Sequence, residues 1–311
     1  MKLDVDLLME IQYNLPLSTT PLVDLAENLN RKTEDVLKTL KLYSKIGILK
    51  RYGLNLNYKS FPRYRQAALV GLKSSSYEVV KRINEFDDVR VKHNYLRDSD
   101  YRVWFTLKGR DLKEIERIVK EICRNCNYVI LPTKRIYKMD VKFDLHRGIS
   151  WSEKRNPEPK DVPTIKELGL NEAFVRRLGK LEICERPFLN MGYSEEEVVS
   201  VIEELLKRGI ARDFCGVLSE SKIGFRENGM TVLRVSEDVE VVALELLRRF
   251  PQITHLIERI PCSDWSYQLY FVVHARSRKP IENLRDEVSR IRGVEEVKVI
   301  YSLKNLREPS L

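Results

Sequence analysis

Apolar residues recur at helical spacing from Asp4 to Tyr13. Pro21 then opens a short second helix, PLVDLAENL, at the position that proline favours. Thr33 can cap a third helix, TEDVLKTLKLYSKI, and Gly47 ends it. The β-prone stretch ILKRYGLNLN follows as a wing, so the first sixty residues read as a winged helix-turn-helix. The pattern then changes period. AALVGL is a continuous apolar run, read as a buried strand, and SYEVVKRINEF is an amphipathic helix. VRVKHNYL and YRVWFTL are strands joined by the turn DSD. The helix DLKEIERIVKEIC and the strand YVILP complete a β-α-β-β-α-β order, the ferredoxin-like sandwich.

The same order occurs twice. KIGILKRY at residues 45–52 matches KRGIARDF at 207–214, and RYRQAALVGL at 63–72 matches FRENGMTVLR at 225–234. His93 and Arg97 recur as His255 and Arg259; all three matches share an offset of 162. The expected fold is thus α+β, a tandem repeat of winged helix-turn-helix plus ferredoxin-like sandwich. The expected domains are 1–60 and 61–145 for copy one, a polar, proline-bearing linker at 146–165, a degenerate helix-turn-helix at 166–222, and a second sandwich at 223–311. Pairing of the two copies within the chain is expected, and further dimerisation is compatible with it.

Charge adds a partner class. The formal net charge is +9, which favours an anionic ligand such as nucleic acid, a membrane surface or a polycarboxylate. No apolar run reaches the roughly 20 residues of a membrane span, and the N-terminal stretch lacks a signal-peptide pattern, so a cytoplasmic protein with no membrane partner is expected. The five cysteines are too few and too scattered for a disulfide framework; Cys123 and Cys126 form one CxxC with no second half to complete a zinc site, so no metal site is expected.

DNA is a poor partner for copy two. Its third helix carries Glu195, Glu196, Glu197, Glu203 and Glu204 against Lys207 and Arg208, a net charge of 2 − 5 = −3 that phosphate would repel. Ser194 and Glu197 fit a capping box, so the helix itself is well specified. The preceding segment, RPFLNMG, is too short for a normal second helix.

The histidines point elsewhere. His146 falls in the linker, but His93, His255 and His274 fall in central strands. Alternation puts His93, Tyr95 and Arg97 on one face, His255, Ile257 and Arg259 on another, and Tyr270, Val272 and His274 on a third. A lone strand histidine is commonly a hydrogen-bonded filler, and His93, with Lys108 where copy two has His274, fits that reading. Copy two instead concentrates His255, Arg259, Trp265, Tyr267 and His274 in twenty residues. Such a surface suits a flat, anionic, conjugated ligand: arginines fork onto carboxylates, aromatics stack, and imidazoles bind iron or shuttle protons.

Several segments carry a family resemblance: RPF (186–188), SEEEV (194–198), residues 253–277, HNYLR (93–97) and YRVWFTL (101–107). The overall order resembles the Lrp/AsnC regulators. The specific motifs resemble their enzymatic relatives, the siroheme decarboxylases and the related d-type heme assembly proteins, with two subunits fused in one chain. The resemblance implies loss of carbon dioxide from two acetate side chains of siroheme, with His255 and His274 as the catalytic pair. It implies substrate contacts from Arg259 and Tyr267; the shared faces and the clustering add Trp265, His93, Tyr95 and Arg97 as expected substrate contacts, with no cofactor beyond the substrate's own iron. The chain departs from the family in HLIER, where relatives carry an aromatic between His and Arg, and in HARS, where they carry His-Gly. A transcriptional regulator, or a siroheme sensor without turnover, is the alternative.

Overall fold

The computed structural model describes residues 2–87 and 89–307; Met1 and residues 308–311, at the outer limits of the first and last expected domains, lie outside them. The chain runs through α1 (Val5–Tyr13), α2 (Pro21–Asn28), α3 (Thr33–Lys45) and β1 (Leu49–Leu56). It continues with β2 (Gln66–Leu72), α4 (Tyr77–Asn84), β3 (Val91–Arg97), β4 (Val103–Gly109), α5 (Leu112–Ile122) and β5 (Tyr128–Met139). Two short strands, β6 (Phe143–Asp144) and β7 (Ile149–Ser150), precede α6 (Glu172–Leu178), α7 (Glu195–Lys207) and β8 (Ala211–Leu218). The last set is β9 (Glu227–Val235), α8 (Val239–Arg249), β10 (His255–Arg259), β11 (Leu269–Ala275), α9 (Lys279–Val288) and β12 (Val294–Asn305).

These elements sort into two compact units, each drawn from both copies. A helical unit takes Met1–Phe61, Asp140–Trp151 and Asp161–Arg226; a sheet unit takes Pro62–Met139, Ser152–Lys160 and Glu227–Leu311. The expected linker is divided between them. It carries β7 and buries Ser152, Glu158, Val162 and Ile165.

In the helical unit the two segments expected as wings pair with each other: β1 and β8 run antiparallel, with Gly53 opposite Cys215. Thr33 does not cap α3; it is the first helical residue, Lys32 holds the cap position, and no side chain accepts there. Gly47 does end the helix, at φ 79°, where the Ile48 N–H reaches back to the Tyr43 carbonyl at 2.9 Å. The capping box of Ser194 and Glu197 starts α7. The RPF and SEEEV segments meet here, because Arg186 Nε donates to Glu195 at 2.8 Å.

The sheet unit is a closed ring of eight strands. Their order is β10-β5-β2-β4-β3-β12-β9-β11, and β10 pairs again with β11. Each copy supplies a four-stranded β-α-β-β-α-β sheet, as the sequence predicts. The last strand of each copy runs longer than its apolar pattern suggests. The start of β5 pairs with β2 as far as Pro132; from Thr133 it pairs with β10 of the other copy. Likewise β12 pairs with β9 and then, from Ser302, with β3. No free edge remains between the copies.

Outward faces carry helices. On α5, Ile115, Ile118, Val119 and Ile122 repeat at helical spacing and bury against Val70, Val91, Phe105 and Leu107. Each such side chain removed from water contributes about 1.5–3 kcal/mol. The inward face mixes both copies: Leu69, Trp104 and Leu131 pack with Met230, Val232, Tyr270 and Ile300. Gly71 makes room for Trp104, since a Cβ there would lie 2.9 Å from the indole ring. Cys123 and Cys126 form a disulfide just beyond α5. No helix among the described residues is long and apolar enough to cross a membrane.

Candidate functional site

Strand alternation decides which side chains reach the ring interior. Tyr270 faces inward, so Val272 and His274 do too. Pairing carries the face across strands: His255 lies opposite Val272, Ile257 opposite Tyr270, and Asn228 opposite His274. His255 and His274 are therefore diagonal neighbours on one face, with Cα atoms about 7–8 Å apart by sheet geometry. A bulge between Val91 and Asn94 resets β3. After it Tyr95 and Arg97 share a face, with the Arg97 guanidinium 5.1 Å from the Tyr95 ring centre.

On this side of the ring a buried polar line crosses four strands. Arg97 on β3 donates to the Ile300 carbonyl of β12 at 3.1 Å and to Asn228 Oδ1 of β9 at 3.3 Å. Asn228 Nδ2 meets His274 Nε2 of β11 at 3.1 Å. Arg97, Asn228 and His274 are 5%, 8% and 4% exposed. His255 sits at the rim, half-buried. Its Nδ1 lies 2.9 Å from the Thr254 hydroxyl, which itself donates to the Val272 carbonyl at 3.0 Å.

The other expected residues lie away from this line. The Arg259 N–H bonds the Gln268 carbonyl, which puts it opposite a residue six positions before His274. At strand rise that is about 20 Å. Arg259 donates to Thr133 Oγ1 at 2.9 Å and its guanidinium sits 5.4 Å from the Tyr270 ring centre. Trp265 is core: its ring centre lies 5.2 Å from that of Trp104, and its N–H donates to the Tyr270 hydroxyl at 2.9 Å. Tyr267 donates to Glu296 at 2.6 Å; burial, with Glu296 beside it, pushes its phenol up to about 12. His93 is exposed and stacks on Tyr95 at 5.8 Å, while Lys108 Nζ donates to the Val89 carbonyl at 2.8 Å.

The single cluster that the sequence suggests is thus divided. His274 gains an arginine from copy one, while Arg259, Trp265 and Tyr267 lie away from it. Nor is the patch an open, wet surface: of the pair, only His255 approaches solvent. Sequence reasoning missed Asn228. Its signal was a polar residue two positions before Met230, in phase with the inward-facing residues of β9. Among the described residues no group of three or more metal-binding side chains occurs. A cavity of about 270 Å³ lined by Lys41, Arg51, Lys180 and Glu182 belongs to the helical unit and holds none of these groups.

The profile of the AsnC-like ligand binding domain matches residues 64–138 and 222–307, one match per ferredoxin-like half. A siroheme decarboxylase of Hydrogenobacter thermophilus is 27% identical over 311 residues, covering 96% of this chain and 91% of its own. The siroheme decarboxylase beta subunit of Methanosarcina barkeri is 30% identical over 119 residues, covering 38% of this chain and 78% of its own. The chain belongs to the siroheme decarboxylase family. Within that family it resembles the single-chain members, one polypeptide spanning what other members divide between subunits. The crystal structure of the siroheme decarboxylase NirDL in co-complex with an iron-uroporphyrin III analogue has the same fold, with a TM-score of 0.63 at 22% identity over 97% of this chain and 92% of that one. The mixed α/β fold with two ferredoxin-type halves is that of the AsnC-like domains.

Proposed function

We propose that this chain is a siroheme decarboxylase, a carboxy-lyase that removes the carboxyl groups of two acetate side chains of siroheme to give didecarboxysiroheme in heme biosynthesis. The observation that carries this reading is the buried Arg97–Asn228–His274 line beside His255, in a chain similar throughout to such enzymes.

In each round the bond between the acetate methylene and its carboxylate breaks. The electron pair stays on the methylene, delocalised into the macrocycle, and carbon dioxide leaves. One proton then converts the methylene to a methyl group, so an acid with a pKa near the working pH is required. Nothing is oxidised or reduced, and no cofactor is needed beyond the substrate's own iron. Strand geometry puts Arg97, rather than Arg259, within reach of the histidines, so Arg97 is the arginine that holds a carboxylate there. Its guanidinium has five N–H donors, enough to serve Asn228 and a ligand together. A carboxylate that must leave belongs in a drier, less paired position, since strong pairing would stabilise the ground state.

The helices and strand of each copy are a winged helix-turn-helix, degenerate in the second copy, that no longer serves DNA. Its wings are occupied by each other in the β1–β8 pair, and α7 is acidic. The test is one anaerobic incubation with siroheme followed by mass analysis. Successive loss of two carbon dioxide masses is expected. An unchanged Soret-absorbing complex would make the chain a binder without turnover, and salt-sensitive, sequence-specific DNA binding would make it a regulator.

A further inference from the structure

The geometry assigns different roles to the two histidines: Asn228, clamped by Arg97, is a positioning residue that holds His274 as a neutral imidazole protonated on Nδ1, and His255 is the group that carries the transferable proton. The role of His255 rests on the decarboxylase reading above; the state of His274 does not.

The argument is one of donors and acceptors. A guanidinium only donates, so Arg97 fixes Asn228 with its oxygen towards β3. The Asn228 NH₂ then points at His274 Nε2, 3.1 Å away. An NH₂ needs a lone pair, so His274 Nε2 carries none of the ring's protons and Nδ1 carries the single one. Charging His274 would set two donors against each other inside a buried line. Turning the amide to relieve this would turn its NH₂ on Arg97. The Arg97 cation adds repulsion of the same sign.

His255 is arranged the other way. The Thr254 hydroxyl spends its hydrogen on the Val272 carbonyl, so towards His255 it can only accept. That puts a proton on Nδ1 and leaves Nε2 as the nitrogen that takes up a second proton. The imidazolium so formed keeps its Thr254 bond, so nothing at that contact opposes charging. Half-buried at the rim, His255 can be reloaded from water after each transfer.

Among the described residues, the charged neighbours on β9 and β12 are engaged elsewhere. On β9, Glu227 is held by Arg278 at 3.1 Å; on β12, Tyr301 lies under the same guanidinium, 4.3 Å from ring centre to Arg278. On β10 the nearest titratable group is His255 itself. The helix against this sheet, α9, buries Ile281, Leu284 and Val288. Each copy is therefore needed in one site: copy two carries both histidines, and copy one sets the state of one of them.

The test is a two-bond proton–nitrogen correlation of the full chain labelled with ¹⁵N-histidine, without substrate. His274 is expected as the neutral Nδ1–H form at pH ~7 and still neutral about one unit below the ordinary histidine midpoint of ~6.5. His255 is expected to charge across that midpoint. Asn228→Asp puts a carboxylate against Nε2, so His274 should then charge at higher pH. With siroheme, the same variant should move the acid limb of the kcat profile upward with KM little changed. A protonated Nε2 or a charged His274 in the unsubstituted chain at pH ~7 overturns the assignment, and that result needs no folded variant. An acid limb that stays in place in folded Asn228→Asp overturns it as well. The predicted His274 spectrum in a chain that leaves siroheme intact would sink the decarboxylase reading and the proton-donor role of His255 together, while the Asn228 clamp would stand.

Discussion

Two opposite sides of the eight-stranded ring are built from equivalent strands, yet they are chemically unlike. On one side Arg97, Asn228 and His274 form a continuous hydrogen-bonded line. On the other, Arg259 is present, but Ala67 and Lys108 stand opposite each other where Asn228 and His274 do. Arg259 turns to Thr133, and Lys108 turns away to the Val89 carbonyl. Both sides carry the arginine; only one carries the amide and the imidazole. The duplication supplied a symmetrical frame, and its two sides differ at these two facing positions.

The largest effect should separate His255 from Lys108. His255→Ala is expected to lower kcat by about 10²–10⁴-fold, the usual contribution of a positioned acid, with siroheme still bound and its Soret band retained. Lys108→Ala should leave turnover intact; an equal loss in both variants would abolish the distinction between the two sides.

Next comes the pair of arginines. Removing the charged donor in Arg97→Met or Arg259→Met should cost each chain about 1.5–3 kcal/mol, read by urea unfolding. Only Arg97→Met should also depress kcat in what remains folded. A matched kinetic loss in Arg259→Met would show that the reaction spans the ring.

Gly229→Ala probes the backbone beside Asn228. A Cβ there would lie 2.9 Å from an Ile281 methyl, an overpacking expected to cost about 1–3 kcal/mol. Gly71→Ala, pressed against Trp104 at 2.9 Å on the inward face, is the comparison in copy one. Differential scanning calorimetry should show both lowered, and turnover more sensitive to the first.

The smallest effect is alkaline. The Tyr267 phenol has its folded-state pKa raised to about 12, so its neutral form is favoured by folding. That stability is present below the ordinary tyrosine value of ~10 and is lost as pH rises from there through the folded value. Tyr267→Phe should flatten the unfolding profile in that window while leaving turnover near neutrality unchanged. A change in substrate affinity would instead return Tyr267 to the ligand surface.

Much of this was legible in the residues. The apolar runs and amphipathic helices mark every element of the two β-α-β-β-α-β halves, and period two put His255 with Arg259 and His274 with Tyr270 on shared faces. Asn228 was missed because its part depends on two neighbours from different strands, neither near it in sequence. Trp265 reads as a ligand-stacking residue by its company in the motif, yet it lies against Trp104 of the other copy, a contact that no local pattern encodes. Thr33 is a good capping residue by type, but a cap needs the backbone one position earlier than the helix start, and Lys32 has it.

By itself the sequence determined the elements, the duplication and the residue types available, because hydrophobic period and turn chemistry act over a few neighbouring positions. The tertiary structure decided which copy's arginine serves which copy's histidine. That choice follows from long strands, β5 and β12, leaving their own sheets to close a ring. The register of strands more than a hundred residues apart is set by their packing together, not by either strand alone.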